Sequence, residues 1–172
     1  EEPIIAGVAY DRSQGKVTVV GVRDVPGSAA RLFTTVADAE ANIDTIVQNI
    51  STEGDGTTDI SFTLPEKDVA AAVAAIESLK SDLGFKDIRV NPTIGIVSLV
   101  GAGMRTNTGV SAELFRALAD AGINIEMIST SEVRISVVVD GDRVDDAVRA
   151  IHSAFGLDSA DAEAVVYGGT GR

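Results

Sequence analysis

The sequence predicts an α+β protein in which one unit occurs twice, each copy an antiparallel sheet with two helices on one face in the order β-α-β-β-α-β. Three matches between distant segments predict it. Val17-Thr18-Val19-Val20-Gly21 recurs 80 residues later as Val97-Ser98-Leu99-Val100-Gly101. Ala29 to Asp44 matches Ser111 to Glu126 at an offset of 82, with eight of sixteen positions identical. Those are Ala30, Leu32, Phe33, Ala37, Asp38, Ala39, Asn42 and Ile43 against Ala112, Leu114, Phe115, Ala119, Asp120, Ala121, Asn124 and Ile125. Ile60, Phe62 and Leu64 then correspond to Ile135, Val137 and Val139 at an offset of 75. A unit of about 77 residues is far too long for a solenoid repeat and reads as a small domain present twice.

Each element has a local reason. Lys16 to Val22 is a dense β-branched run and predicts a strand. Pro26-Gly27 ends it, and Ala29, Leu32, Phe33 and Val36 fall at i, i+3, i+4 and i+7, one face of a helix to about Ala39. Pro26 suits that helix's first turn. Asp44 to Ile50 predicts a second strand. Asp55-Gly56 turns it into the alternation Ile60, Phe62, Leu64, a hairpin with one buried face. Val69, Val73, Ile76 and Leu79 form a second helical stripe, and Ile88 to Val90 closes the unit before Pro92. The second copy repeats the order, with Val144, Val148 and Ile151 as its second stripe and Ala164 to Tyr167 as its last strand. The arrangement is a tandem ferredoxin-like repeat, with domains at 16–92 and 94–172. Ile4 to Tyr10 predicts an extra strand, turned by Asp11 to Gly15 into the first unit. The segment 1–15 is expected to complete the second unit's sheet. The opening strands are apolar on consecutive residues, which implies that both sheet faces are covered and that units or chains pair.

Composition narrows the function. The chain has 172 residues and a formal net charge of −12, the wrong sign for binding nucleic acid. Aromatics are 4% with no Trp, so no base-stacking platform is expected. No apolar run reaches the roughly 20 residues of a bilayer span, and Glu1-Glu2-Pro3 does not open a signal peptide, so a cytoplasmic protein is expected. No cysteine and a single histidine, His152, leave no thiolate or multi-histidine metal site and no thiol nucleophile. No cofactor or metal is expected. Gly101-Ala102-Gly103 lies between a strand and a helix, but Thr106 stands where a dinucleotide fold needs its third glycine. There is no phosphate-binding Gly-Lys-Ser or Gly-Lys-Thr. The tail Gly168 to Arg172 has only the glycine content of a phosphate loop. Arg23 and Arg105 follow the two opening strands, where acylphosphatases of this topology place an arginine, but no phosphate cradle accompanies them.

Polar chemistry concentrates in the loop Arg23-Asp24-Val25-Pro26-Gly27-Ser28. A helix begins there, so backbone N–H groups near Ser28 to Ala30 offer an anion site beside the Asp24 carboxylate. An anion site beside a carboxylate suits a zwitterion such as an amino acid, with Gln48 available to read a side-chain hydroxyl. The alternative role for Asp24 is to cap the helix. The second copy, Met104-Arg105-Thr106-Asn107-Thr108-Gly109, is two residues longer and carries no acid. Asn42-Ile43-Asp44 and Asn124-Ile125-Glu126 turn each first helix into its second strand, where Asn tolerates left-handed backbone.

The Asp-x-Pro-Gly turn, the Asn-Ile-Asp turn and the duplicated order resemble the ACT domain, an amino-acid-sensing module. Val100 to Met104, Asn124 to Glu132, Arg134-Ile135-Ser136-Val137, Gln48-Asn49 and Asp55 to Ile60 resemble the paired ACT domains of aspartokinases. The family's kinase domain, with its lysine-rich glycine loop, has no counterpart in these residues. The chain is thus similar to the separate β subunit of α2β2 aspartokinases, or to an isolated regulatory fragment. The resemblance implies a non-catalytic regulatory homodimer that partners an aspartokinase catalytic (α) subunit and mediates feedback inhibition by threonine and possibly lysine. It implies a threonine site at Asp24, Pro26, Gly27, Ala29 and Gln48, closed by Asn124 and Ile125 of a second chain. It implies a lysine site at Met104, Thr108, Gly109 and Val110, closed by Asn42 and Asp44 with Thr130 and Ser131 nearby. The alternatives are an ACT-type regulatory subunit of another amino-acid biosynthetic enzyme and an acylphosphatase-like hydrolase.

Overall fold

The computed structural model describes residues 4–50, 54–104, 107–157 and 165–169, the last stretch as backbone only. The chain divides into two compact units, Gln14–Thr93 and Glu1–Ser13 with Ile94–Arg172. Elements run β1 (Ile4–Arg23), α1 (Ser28–Asp38), β2 (Ile46–Ile50), β3 (Thr57–Pro65), α2 (Val69–Glu77), α3 (Lys80–Leu83), β4 (Asp87–Ala102), α4 (Thr108–Asp120), β5 (Met127–Thr130), β6 (Arg134–Asp140), α5 (Val144–Ala154) and β7 (Val165–Gly169). Short 3-10 turns, Glu66–Asp68 and Gly141–Arg143, lead into α2 and α5.

In the unit Gln14–Thr93 the strand order is β2-β3-β1-β4, with β1–β3 and β2–β3 antiparallel. Val17 pairs with Phe62 and Val19 with Ile60, so the apolar alternation falls on one face. Helices α1 and α2 cover that face: Leu32 and Val36 from α1, and Ala72 and Ile76 from α2, join Val17, Val19, Ile60, Phe62 and Leu64 in one core. Phe33 meets Phe62 edge to face at 5.6 Å between ring centres. On the other face Thr18 and Val20 are half-buried.

The other unit repeats this plan, with β4 paired to β6 and β6 to β5, Val97 opposite Val137 and Leu99 opposite Ile135. Leu114 and Leu118 of α4 and Ala147 and Ile151 of α5 close its core. Here the first half of β1 lies between β4 and β7, and β7 pairs in parallel with Gly7 to Asp11. The expected reversal at Asp11 to Gly15 does not occur: β1 runs without a break through those residues. Asp11 Oδ1 does accept bonds from Ser13 N and Oγ, the local geometry of a turn. Gly15, however, is not left-handed and meets a different need: a Cβ there would lie 2.6 Å from Val69 Cγ2. Its counterpart Gly95 does the same beneath Val144, at 2.0 Å.

Three smaller readings change. Where Val73 and Val148 were expected inside, Ala72 and Ala147 are the fully buried residues. Strand β2 begins at Ile46, although Asp44 N already donates to Thr63 O. The left-handed residue after α1 is Glu40 at φ 59, and after α4 it is Gly122 at φ 70; neither Asn42 nor Asn124 has positive φ. No helix among the described residues is long and apolar enough to cross a membrane.

Two stability changes follow. Glu40→Gly relieves a left-handed side chain at an exposed helix end and is expected to stabilise the protein by about 0.5–1 kcal/mol after the extra unfolded-state freedom of glycine is counted. Gly95→Ala forces Val144 off the sheet and is expected to cost about 1–3 kcal/mol. Denaturant melts of both variants measure these shifts, and the Gly95→Ala loss should be smaller in a Val144→Ala background.

Candidate functional site

Helix α1 starts without a side-chain cap. Its N-cap is Gly27, left-handed at φ 97, and no side chain accepts a bond from the first turn. Ser28 N donates to Val25 O at 3.2 Å and Arg31 N to Gly27 O at 2.9 Å. Between them the Ala29 and Ala30 N–H groups find no acceptor among the described residues, at the positive end of an 11-residue helix. The Asp24 carboxylate is exposed and accepts no hydrogen bond from the described residues, so the capping role is excluded. Two N–H donors and an unengaged carboxylate therefore stand in one loop, the pairing a zwitterion requires.

The Asp24 backbone is held from the neighbouring hairpin: Asp24 N donates to Gly56 O at 2.9 Å. Gly56 is left-handed at φ 75. Asp55 Oδ1 accepts from Thr57 Oγ1 at 2.6 Å and Thr57 N at 3.1 Å, and Asp55 Oδ2 lies 3.3 Å from Lys86 Nζ. The Thr57 hydroxyl chiefly, opposed by partial desolvation and helped by the Thr57 N–H and Lys86, lowers the Asp55 pKa from 3.8 to about 2. Gln48 pairs with Ile60, which puts it on the sheet face that α1 covers. Pro26, Gly27 and Gln48 are exposed and Ala29 is half-buried. Arg23 is turned away, with its guanidinium on Ser81 O at 3.3 Å and lying over Gly84. It contributes nothing to an anion cradle at α1, and Arg105 lies outside the described residues.

The matching end of α4 opens on a cavity of about 320 Å³ lined by Met104, Asn107, Thr108, Ser111, Thr130, Ser131 and Ile135. Thr130 sits opposite Ile135 as Gln48 sits opposite Ile60. Four residues expected in the second site, Met104, Thr108, Thr130 and Ser131, thus share one cavity. Val110 points instead into the core, 4% exposed, and Gly109 is exposed beside Asn107. Sequence reasoning missed Asn107, Ser111 and Ile135. Among the described residues the lining holds hydroxyls and an amide but no charge.

The closing residues lie at the far ends of the same helices. Asn42 and Asp44 follow α1, about 16 Å along its 11 residues from Gly27, and Asn124 and Ile125 follow α4. Asn42, Asp44 and Asn124 are exposed, while Ile125 packs against its own unit's core. Within neither unit do they meet the loop at the helix start. His152 is half-buried on α5, and no cluster of three metal-ligating side chains occurs among the described residues.

A family model for the ACT domain matches residues 17–79 and 97–155. An aspartokinase of Mycolicibacterium smegmatis is 55% identical over all 172 residues, which make up 41% of that relative. The chain therefore spans about two fifths of the length of the curated relatives it matches. A crystal structure of aspartokinase alpha and beta subunits is similar with a TM-score of 0.82 at 42% identity, over 89% of this chain and 99% of that one. The ligand-free regulatory subunit of aspartate kinase from Thermus thermophilus gives 0.82 at 36% identity, over 88% and 99%.

The Asp55 clip predicts a titration. Its folded-state pKa lies below the unfolded value, so the clip's contribution is complete above about pH 4 and is lost as pH falls through about 2. Carboxyl-carbon NMR should find the Asp55 midpoint near 2, and Thr57→Val should raise it more than Lys86→Met.

Proposed function

Since the chain belongs to the ACT-domain family and, within it, to the aspartokinase regulatory chains, we propose that it binds end-product amino acids and mediates feedback inhibition of an aspartokinase catalytic subunit. Its 172 residues carry no catalytic domain of their own. The observation that carries the proposal is the uncapped start of α1 beside the unengaged Asp24 carboxylate. In this reading a threonine carboxylate accepts from the Ala29 and Ala30 N–H groups, its ammonium pairs with Asp24, and Gln48 bonds its hydroxyl. Pro26 and Gly27 form the floor of the loop. Asn124 and Ile125 of a second chain close the site, which accounts for their position far from α4's own start. The cavity at Met104, Thr108, Thr130 and Ser131 is the second effector site, for which lysine is the candidate, with the Gly109 and Val110 backbone at its rim, Asp44 of a second chain supplying the missing acid and Asn42 beside it. The protein acts as a homodimer in the cytoplasm. Effector binding across chains favours the arrangement that holds the catalytic subunit inactive, a coupling of about 1–3 kcal/mol.

Calorimetric titration tests the site. Asp24→Asn removes the charge and keeps the size, and threonine affinity is expected to fall about 10- to 150-fold, the worth of a hydrogen bond between charged groups. The ligand-free melting temperature should not move, because Asp24 caps nothing. Lysine binding at the other unit should change far less. In an assembly with an aspartokinase catalytic subunit, threonine should inhibit the kinase and Asp24→Asn should shift that inhibition to higher concentration. Unchanged threonine affinity in a normally melting Asp24→Asn protein would refute the assignment.

A further inference from the structure

We propose that Lys86 and Asp55 are positioning residues of the effector site: their ion pair fixes the Asp55–Thr57 turn, whose Gly56 carbonyl holds the Asp24 N–H and so sets where the Asp24 carboxylate stands. The inference rests on the reading of Asp24 as the ammonium partner.

The path is short and made of single contacts. Lys86 Nζ reaches Asp55 Oδ2 at 3.3 Å; Asp55 Oδ1 is bonded twice by Thr57; Gly56, between them, accepts Asp24 N at 2.9 Å. Lys86 is itself tied to β1, with its N–H donating to Val20 O at 2.8 Å and its stem crossing Gly21, where a Cβ would stand 3.1 Å from Lys86 Cγ. Gly21 is left-handed at φ 75 and donates to Asp59 Oδ1 at 2.9 Å, and the β1–β3 register shifts between Val19 and Val22. A bulge of this kind redirects the strand that carries it, and two residues beyond it the chain enters the Asp24 loop. Lys86 thus braces both the bulge from which the loop departs and the turn on which it rests.

The other unit supplies the comparison. There the offset between copies falls from 82 to 75, so the connection from Gln48 to its partner Ile60 is seven residues longer than the one from Thr130 to Ile135. That longer connection contains Asp55 and Gly56. Arg134 stands at the place of Asp59, and Gly101, the counterpart of Gly21, donates to the Val133 carbonyl instead of a carboxylate. The copy without the brace is also the copy without an acid in its loop. Side chains this exposed, 58% for Lys86 and 33% for Asp55, add little to folding stability, so stability does not explain the arrangement.

Threonine titration of four proteins decides the point: the unmodified chain, Lys86→Met, Asp24→Asn and the double variant, each with a ligand-free melt. Lys86→Met is expected to lower threonine affinity about 3- to 10-fold with an unchanged melting temperature, and to lower it less than about 2-fold when Asp24 is already Asn. Lys86→Arg should restore affinity. Asp55→Asn, which keeps the Thr57 acceptor but weakens the pair, should act in the same direction as Lys86→Met. If Asp24→Asn weakens binding while Lys86→Met does not, the bracing role is wrong and the site stands. An equal loss in both backgrounds would also overturn the role, because Lys86 would then act by another route. If threonine does not bind, or Asp24→Asn binds it unchanged, the site reading fails and this inference with it.

Discussion

In each unit the second helix can lie on the sheet because the residue beneath its first turn has no side chain. Gly15 under Val69 and Gly95 under Val144 leave room for a β-branched residue that has little freedom to move aside. With that approach allowed, Ala72 and Ala147 reach the sheet, Ile76 and Ile151 fill beside them, and the first helix has a closed layer to pack against. The first helix must then begin at the loop following the opening strand, and its unsatisfied N–H groups face out of the core. The exposed start of the first helix is in this way a product of the packing.

What the two copies do with that end differs. The first leaves the helix uncapped behind a left-handed glycine and sets an unengaged carboxylate in the same loop. The second surrounds the helix start with hydroxyls and an amide, and among the described residues no charge lines its cavity. A zwitterion can satisfy both of its charges at the first copy within one unit, whereas the second needs an acid from elsewhere. Duplication has kept the scaffold nearly fixed while the loop chemistry diverged, so the two ends offer different sets of polar groups.

The repeat, the strand pairing and the loop that starts α1 were legible in the sequence because they depend on local spacing. The period-two run at Ile60, Phe62 and Leu64 set the buried face, and the matched offsets set the second copy. Features decided by tertiary contact were not legible. Asp11 to Gly15 has turn composition, yet Gly15 is there for Val69, a contact 54 residues away in sequence. Ala72 and Ala147 give a weak hydrophobic signal and were hidden beside Val73 and Val148. The left-handed helix end falls on Glu40, a residue type with no preference for it, while the neighbouring Asn42 has one. At the site, Asp24 and the α1 start were readable, but capping and ligand binding were not separable until Gly27 proved to be the N-cap. Asn107 and Ser111 were missed because neutral polar side chains leave no charge pattern to find.

The central claim is that an amino-acid carboxylate sits on the open N–H groups at the start of α1. Amide proton–nitrogen NMR of the protein during threonine titration tests it without a substitution. The account predicts saturable, downfield shifts of the Ala29 and Ala30 amide protons, larger than those at Thr108 to Ser111 of the other unit. Saturable shifts confined to the α4 start, with Ala29 and Ala30 unmoved, would contradict it.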